Sequence, residues 1–196
     1  MSAAAFLDRV FQSNPSPQKA FHFASWKHAG RPTREGVGIL PVANVPVDAM
    51  AARIMAVDHY KGNIDYVVES RSIPDAQFTP PGAVRFYQRI QIPMVTAIHM
   101  ELVLTDFGER DGWRVLAWDQ HAATDGLSTK QGARSQYNVG AWLLRNDAIG
   151  YALSSSPRKE DIGRLKFAAM TKGADASAPK VLRNNIEGML RWARRA

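Results

Sequence analysis

Between residues 84 and 105 the chain alternates apolar and polar residues with a period of two. Val84, Phe86, Ile90 and Ile92 oppose Arg85, Tyr87, Arg89 and Gln91; then Ile98, Met100, Leu102 and Leu104 oppose His99, Glu101 and Thr105. Successive side chains on a strand point to opposite faces, so 84–92 and 95–105 each read as a strand with one dry and one wet face. Further β-rich segments at 64–72, 113–121, 136–145, 148–155 and 163–171 are separated by turn-forming runs such as Pro80-Pro81-Gly82, Gly108 to Gly112 and Asn146-Asp147. Short connections of this kind join antiparallel neighbours.

Helices are predicted only at the margins. Residues 2–12 form a short one, broken by Asn14-Pro15-Ser16-Pro17. After a strand through Val37, Ile39, Pro41 and Val45, Asp48 caps a second helix carrying Met50, Ile54 and Val57. A long C-terminal helix is predicted from Ser177 as cap and Pro179 in the first turn, with Leu182, Ile186, Met189, Leu190 and Ala193 on one side. With 196 residues and 45% hydrophobic content there is enough material for one sizeable core. The expectation is an α+β fold, a curved antiparallel sheet of about seven to eight strands wrapped around the C-terminal helix. A twisted sheet curled round a single helix leaves a volume between them, and that volume is a candidate binding cavity.

The chain has no cysteine, which removes disulfides, thiolate metal sites and cysteine nucleophiles. Its first apolar stretch, Ala3 to Leu7, stops at Asp8-Arg9, too short for a signal-peptide core, and no apolar run is long enough to span a bilayer. A soluble, unexported, cytoplasmic protein is expected. The net charge of +7 is concentrated at two places. Lys19, Lys27, Arg31 and Arg34, with no acid, make 19–34 +4, and Lys180, Arg183, Arg191, Arg194 and Arg195 against Glu187 make 180–195 +4, leaving 35–179 at −1. A nucleic-acid partner is not expected, because the body lacks a continuous basic strip interleaved with aromatics. Two basic ends fit transient contact with an anionic membrane surface, or simply a solvated face.

Catalytic signatures are absent. The five histidines make no metal-ligand spacing, and there is neither a nucleophile elbow nor a phosphate loop. His99 with Glu101, and Asp119 with His121, stand two apart on a strand face, as acid–base pairs or surface pairs would. No metal or cofactor is expected.

Three stretches carry a resemblance to a known family. Ile92-Pro93-Met94-Val95-Thr96-Ala97 is similar to the proline-centred entry into a central strand of the START lipid transfer domains. Gly140-Ala141-Trp142-Leu143-Leu144 is similar to their Gly-x-Trp late strand, and Gly173 to Asn184, with Pro179 and Leu182, to the entry into their last helix. The resemblance covers roughly residues 35–194, so 1–34 reads as an N-terminal helix and basic linker and 35–196 as a START-like helix-grip domain. One departure is Ile98-His99, where the family commonly has an Arg-Asp pair. The resemblance implies an internal hydrophobic cavity and non-covalent binding, and possible transfer, of a lipid or other hydrophobic small molecule. Relatives of the same superfamily include polyketide cyclases and aromatases, so an enzyme acting on a hydrophobic substrate is the alternative.

The candidate lining residues are apolar or aromatic, namely Phe86, Met100, Trp118, Trp142, Tyr151, Phe167 and Met189, and each could equally be core packing. Two amides are sharper candidates. Gln88 lies between Phe86 and Ile90 on the dry face and Asn185 beside Ile186 on the helix, and a buried amide must bond protein, water or ligand. Arg85 and Arg89 belong to the outer face unless the curl of the sheet turns one inward.

Overall fold

A computed structural model describes residues 2–92 and 96–195. Helix α1 (Ala3–Gln12) is capped by Ser2, whose hydroxyl accepts from the Ala5 amide at 3.3 Å, and buries Phe6, Leu7 and Val10. Strands β1 (His22–Trp26) and β2 (Glu35–Pro41) follow, then α2 (Val47–Met55), β3 (Val67–Ser72), β4 (Ala83–Ile92), β5 (Thr96–Arg110), β6 (Trp113–Gln120), β7 (Ala133–Arg145) and β8 (Ala148–Pro157). The short α3 (Lys159–Ile162) and the 30-residue α4 (Arg164–Ala193) close the chain.

The eight strands form one sheet in the order β1-β2-β8-β7-β6-β5-β4-β3, every neighbouring pair antiparallel. Past the end of β6, the start of β5 meets the start of β7 directly, with Ile98 and His99 opposite Ala133 and Arg134. That contact curls the sheet. Phe86, Met100, Trp118 and Trp142 face α2 and α4 in one apolar cluster. On the opposite face α1 lays Phe6, Leu7 and Val10 over Val37, Ile39, Val115, Val139 and Leu143. Strands β2, β6, β7 and β8 are therefore dry on both sides, unlike the one-sided β4 and β5 whose alternation is so legible.

Several expectations about local structure are corrected. Residues 163–171 are helix, not strand. Leu165 and Phe167 mimic a two-residue alternation, but Ala168, Ala169, Ala174 and Ala176 favour helix, and Gly163, at φ 80°, makes the break from α3. Ser177 and Pro179 accordingly lie inside α4, and the Gly173 to Asn184 stretch is helix interior, not a helix entry. The Ser177 hydroxyl donates to the carbonyls of Gly173 and Ala174 rather than capping an end. Asp48 sits in the first turn of α2 and makes no capping bond, the helix being preceded by Pro46. Residues 22–26, read as part of a basic linker, form β1 and pair with β2 from His22–Ile39 to Trp26–Glu35. Pro93, Met94 and Val95 of the proline-centred motif lie outside the described residues. Among the described residues, no helix is long and apolar enough to cross a membrane.

Candidate functional site

The concave face is built around Gly140. A Cβ there would stand 2.2 Å from Cζ2 of Trp118 and 2.6 Å from the Ala152 carbonyl oxygen, so glycine is what lets the Trp118 indole lie flat across β7. The indole N–H donates to Asn138 Oδ1 at 2.7 Å, and Asn138 Nδ2 approaches Met100 Sδ at 3.2 Å. Tyr151, from β8, packs its ring 4.4 Å from Trp142 and 5.6 Å from Trp118. Four sequence candidates, Met100, Trp118, Trp142 and Tyr151, thus form one aromatic floor.

Tyr151 combines two properties. Protein encloses it closely enough that burial pushes its phenol well above the ordinary tyrosine value, yet its side chain retains accessible surface and its hydroxyl has no hydrogen-bond partner among the described residues. Ile90, Ile92 and Leu153 on the same face are likewise half-buried against the core cluster rather than sealed in it. Gln88 and Asn185 are half-buried, and their amides make no hydrogen bond to a described residue.

The covering helix is packed unevenly. In its C-terminal half Leu182, Ile186 and Met189 are buried; in its N-terminal half Leu165 is 89% exposed, and Phe167 and Met170 are half-buried. Phe86 and Met189 belong to the sealed part of the cluster. At the N-terminal end of α4 a cleft of about 850 Å³ opens between the β1–β2 loop, the ends of β7 and β8, and the start of α3. Of the nine candidates only Phe167 lines it. Arg31, Tyr137 and Lys159 also line it; the sequence placed Arg31 in a basic segment and Tyr137 on a strand, and gave no reason to bring the three together. The rim is fixed by Asp161, which accepts from the Arg134 amide and guanidinium at 2.8–2.9 Å and is held below the ordinary carboxylate range by those bonds.

The remaining polar candidates have structural duties. Arg85 bonds Glu101 and Asp75 on the convex face, and Arg89 pairs there with Glu69. His99 is fully buried on that side, its Nδ1 3.2 Å from the Tyr87 hydroxyl, and is not bonded to Glu101. Burial, followed by the nearby Arg89, lowers its pKa. His121 accepts from the Ala123 amide, and Asp119 accepts from the Ala3 amide. Neither His–carboxylate couple is assembled as an acid–base pair.

No protein-family model and no curated protein matches the sequence. Solved structures do match. A STAR-related lipid transfer protein from Xanthomonas axonopodis superposes with a TM-score of 0.71 over 92% of this chain and 97% of its own, at 14% identity. The chain has the START-like helix-grip fold. Human StAR-related lipid transfer protein 5 matches with a TM-score of 0.69 over 98% of this chain and 95% of its own, at 8% identity. The di-domain ARO/CYC protein StfQ of the steffimycin biosynthetic pathway shares the fold more distantly, with a TM-score of 0.51 over 81% of this chain and 48% of its own, at 16% identity.

Proposed function

We propose that the protein binds, and in doing so can carry, a lipid or other hydrophobic small molecule between the concave face of the sheet and the N-terminal half of α4. The observation that carries this reading is Tyr151, enclosed by protein but accessible and unbonded at its hydroxyl, on a floor of Trp118, Trp142 and Met100. Apolar lining with a few polar groups is the usual make-up of a small-molecule site. Leu153, Ile90 and Ile92 supply apolar surface, while Tyr151, Gln88 and Asn185 supply hydrogen-bonding groups that the fold leaves uncommitted. The weakly packed half of α4 is the part that moves at least cost to admit a ligand. Lipid-transfer proteins of the same fold support the reading by analogy.

Extraction of the purified protein followed by mass spectrometry tests it directly. A hydrophobic molecule in stoichiometric amount is the expected result. Failure to recover any, together with failure of a fluorescent lipid to bind, would remove the reading. The enzyme alternative keeps one specific support, the titratable Tyr151 phenol within the proposed site of a fold shared with StfQ. Recovery of a chemically altered molecule after incubation would favour it, and recovery unchanged favours a carrier.

A further inference from the structure

The cleft at the end of the sheet has a chemistry that the concave face lacks. Its lining includes His28, Arg31 and Lys159 and no carboxylate. Arg31 is built in. Its side chain is 10% exposed, its guanidinium lies 3.8 Å over the Tyr137 ring, and Nη1 donates to Ser154 Oγ at 3.0 Å. Its Nε lies 3.9 Å from the Glu35 carboxylate. Glu35 is engaged elsewhere, accepting from Arg9 at 2.7 and 3.0 Å and from the Trp26 indole at 2.8 Å. Two guanidiniums, those of Arg9 and Arg31, thus converge on the Glu35 carboxylate. Burial draws Arg31 below its ordinary pKa, so an anion arriving in the cleft would restore what desolvation has removed. Phe167 and Pro157 supply apolar walls beside these charges.

We propose that this cleft holds the oxyanion head group, a carboxylate or phosphate, of an amphiphilic ligand, with Arg31 as the fixed contact, Lys159 on the rim and Phe167 against the adjoining apolar chain. The inference rests on the reading that the protein binds a hydrophobic molecule, and adds the class of its head group. A guanidinium held over an aromatic ring keeps a planar fork of donors that matches carboxylate and phosphate oxygens. Lys159, exposed at the first residue of α3, adds a second positive charge without constraining geometry.

The test compares heads at constant tail and tails at constant head. Oleate and oleyl alcohol share one chain, dodecyl phosphate and dodecanol another, and acetate and inorganic phosphate carry the head alone. The anionic member of each amphiphile pair should bind about tenfold more tightly than the alcohol, and the two small anions should not compete at the same concentrations. Arg31→Gln should bring oleate down to the affinity of the alcohol. Lys159→Glu, on an exposed side chain, should weaken oleate several-fold and leave the alcohol unchanged, which keeps the test decisive if Arg31→Gln does not fold. Equal affinity for oleate and oleyl alcohol, or an unchanged ratio in Lys159→Glu, would overturn the head-group assignment while leaving hydrophobic binding intact. Inorganic phosphate binding as tightly as dodecyl phosphate would overturn the amphiphile and indicate a free-anion site. Failure of both alcohols and both amphiphilic anions, with the fluorescent lipid also failing, would overturn the underlying reading itself.

Discussion

Tyr151→Phe separates a ligand contact from a packing contact. The substitution removes one hydroxyl and keeps the ring that packs 4.4 Å from Trp142 and 5.6 Å from Trp118. Because that hydroxyl bonds no described residue, no hydrogen bond of the fold is lost, and stability should stay within about 0.5 kcal/mol of the parent. Binding should respond differently. A hydrogen bond from the phenol to a ligand contributes about 0.5–1.5 kcal/mol net, which converts to roughly a two- to twelvefold loss of affinity. Tyr151→Ala sets the opposite scale, since losing the whole ring costs about 3–5 kcal/mol of stability, as for other large aromatics. Urea denaturation gives the stability term, and titration with a fluorescent lipid, displaced by whatever copurifies, gives the binding term. If Tyr151→Phe destabilises by more than about 1.5 kcal/mol, the hydroxyl has a structural partner and does not line a space. Unchanged affinity for the copurifying molecule would mean that the ligand does not reach the concave floor.

Three further outcomes are expected. Gly140→Ala forces its Cβ against both the Trp118 indole and the Ala152 carbonyl oxygen, and should cost about 1–3 kcal/mol and several degrees of Tm; a Tm within a degree of the parent would refute the close approach. His99 is held neutral by burial, so the unfolded chain takes up its proton first: stability should be full above about pH 6.5 and fall as pH drops toward the lowered folded pKa, a slope that His99→Asn should flatten in urea titrations between about pH 7.5 and 5.5. Arg191, Arg194 and Arg195 are exposed at the end of α4, and each basic residue near a bilayer adds about 1 kcal/mol of attraction, so the protein should sediment with anionic but not neutral vesicles and be released by salt. Unchanged sedimentation after reversing all three to Glu would show them to be a solvated face.

The sheet was legible where one face is dry and the other wet, as on β4 and β5, because burial then writes a two-residue period into the sequence. It was less legible on β2 and β7, where α1 covers the second face and Val37, Val139, Ala141 and Leu143 join an otherwise alternating pattern. The start of α4 was misread for a related reason: its first half touches little, so no apolar stripe at helical spacing is required, and Leu165 and Phe167 imitate a strand. The aromatic floor was accessible from sequence because Met100, Trp118, Trp142 and Tyr151 fall on the inward phase of their strands. The basic cleft was not, since Arg31, Tyr137 and Lys159 come from three separate elements and meet only through the pairing of β2, β8 and β7.

The two faces of the sheet explain how one half of its covering helix can remain loose. A domain needs enough apolar burial to offset its conformational entropy, and each unfilled volume subtracts from that sum. Here the convex face supplies a second core, with Phe6, Leu7 and Val10 of α1 sealed at 0–2% exposure against Val37, Ile39, Val115 and Leu143. The C-terminal half of α4 adds Leu182, Ile186 and Met189 on the other side. With β2, β6, β7 and β8 anchored from both directions, the stretch from Arg164 to Lys180 carries little of the burden of folding. On the proposed reading, that division would let the helix open without unfolding the sheet beneath it, whereas disruption of α1 should loosen the strands that carry the floor. Phe6→Ala therefore tests the division. It should cost about 3–5 kcal/mol and impair binding only in proportion to the unfolded fraction, while Met170→Ala, in the half-buried part of α4, should cost well under 2 kcal/mol and change ligand affinity directly. The reverse pattern would place the stabilising packing in the helix and leave no room for a gate.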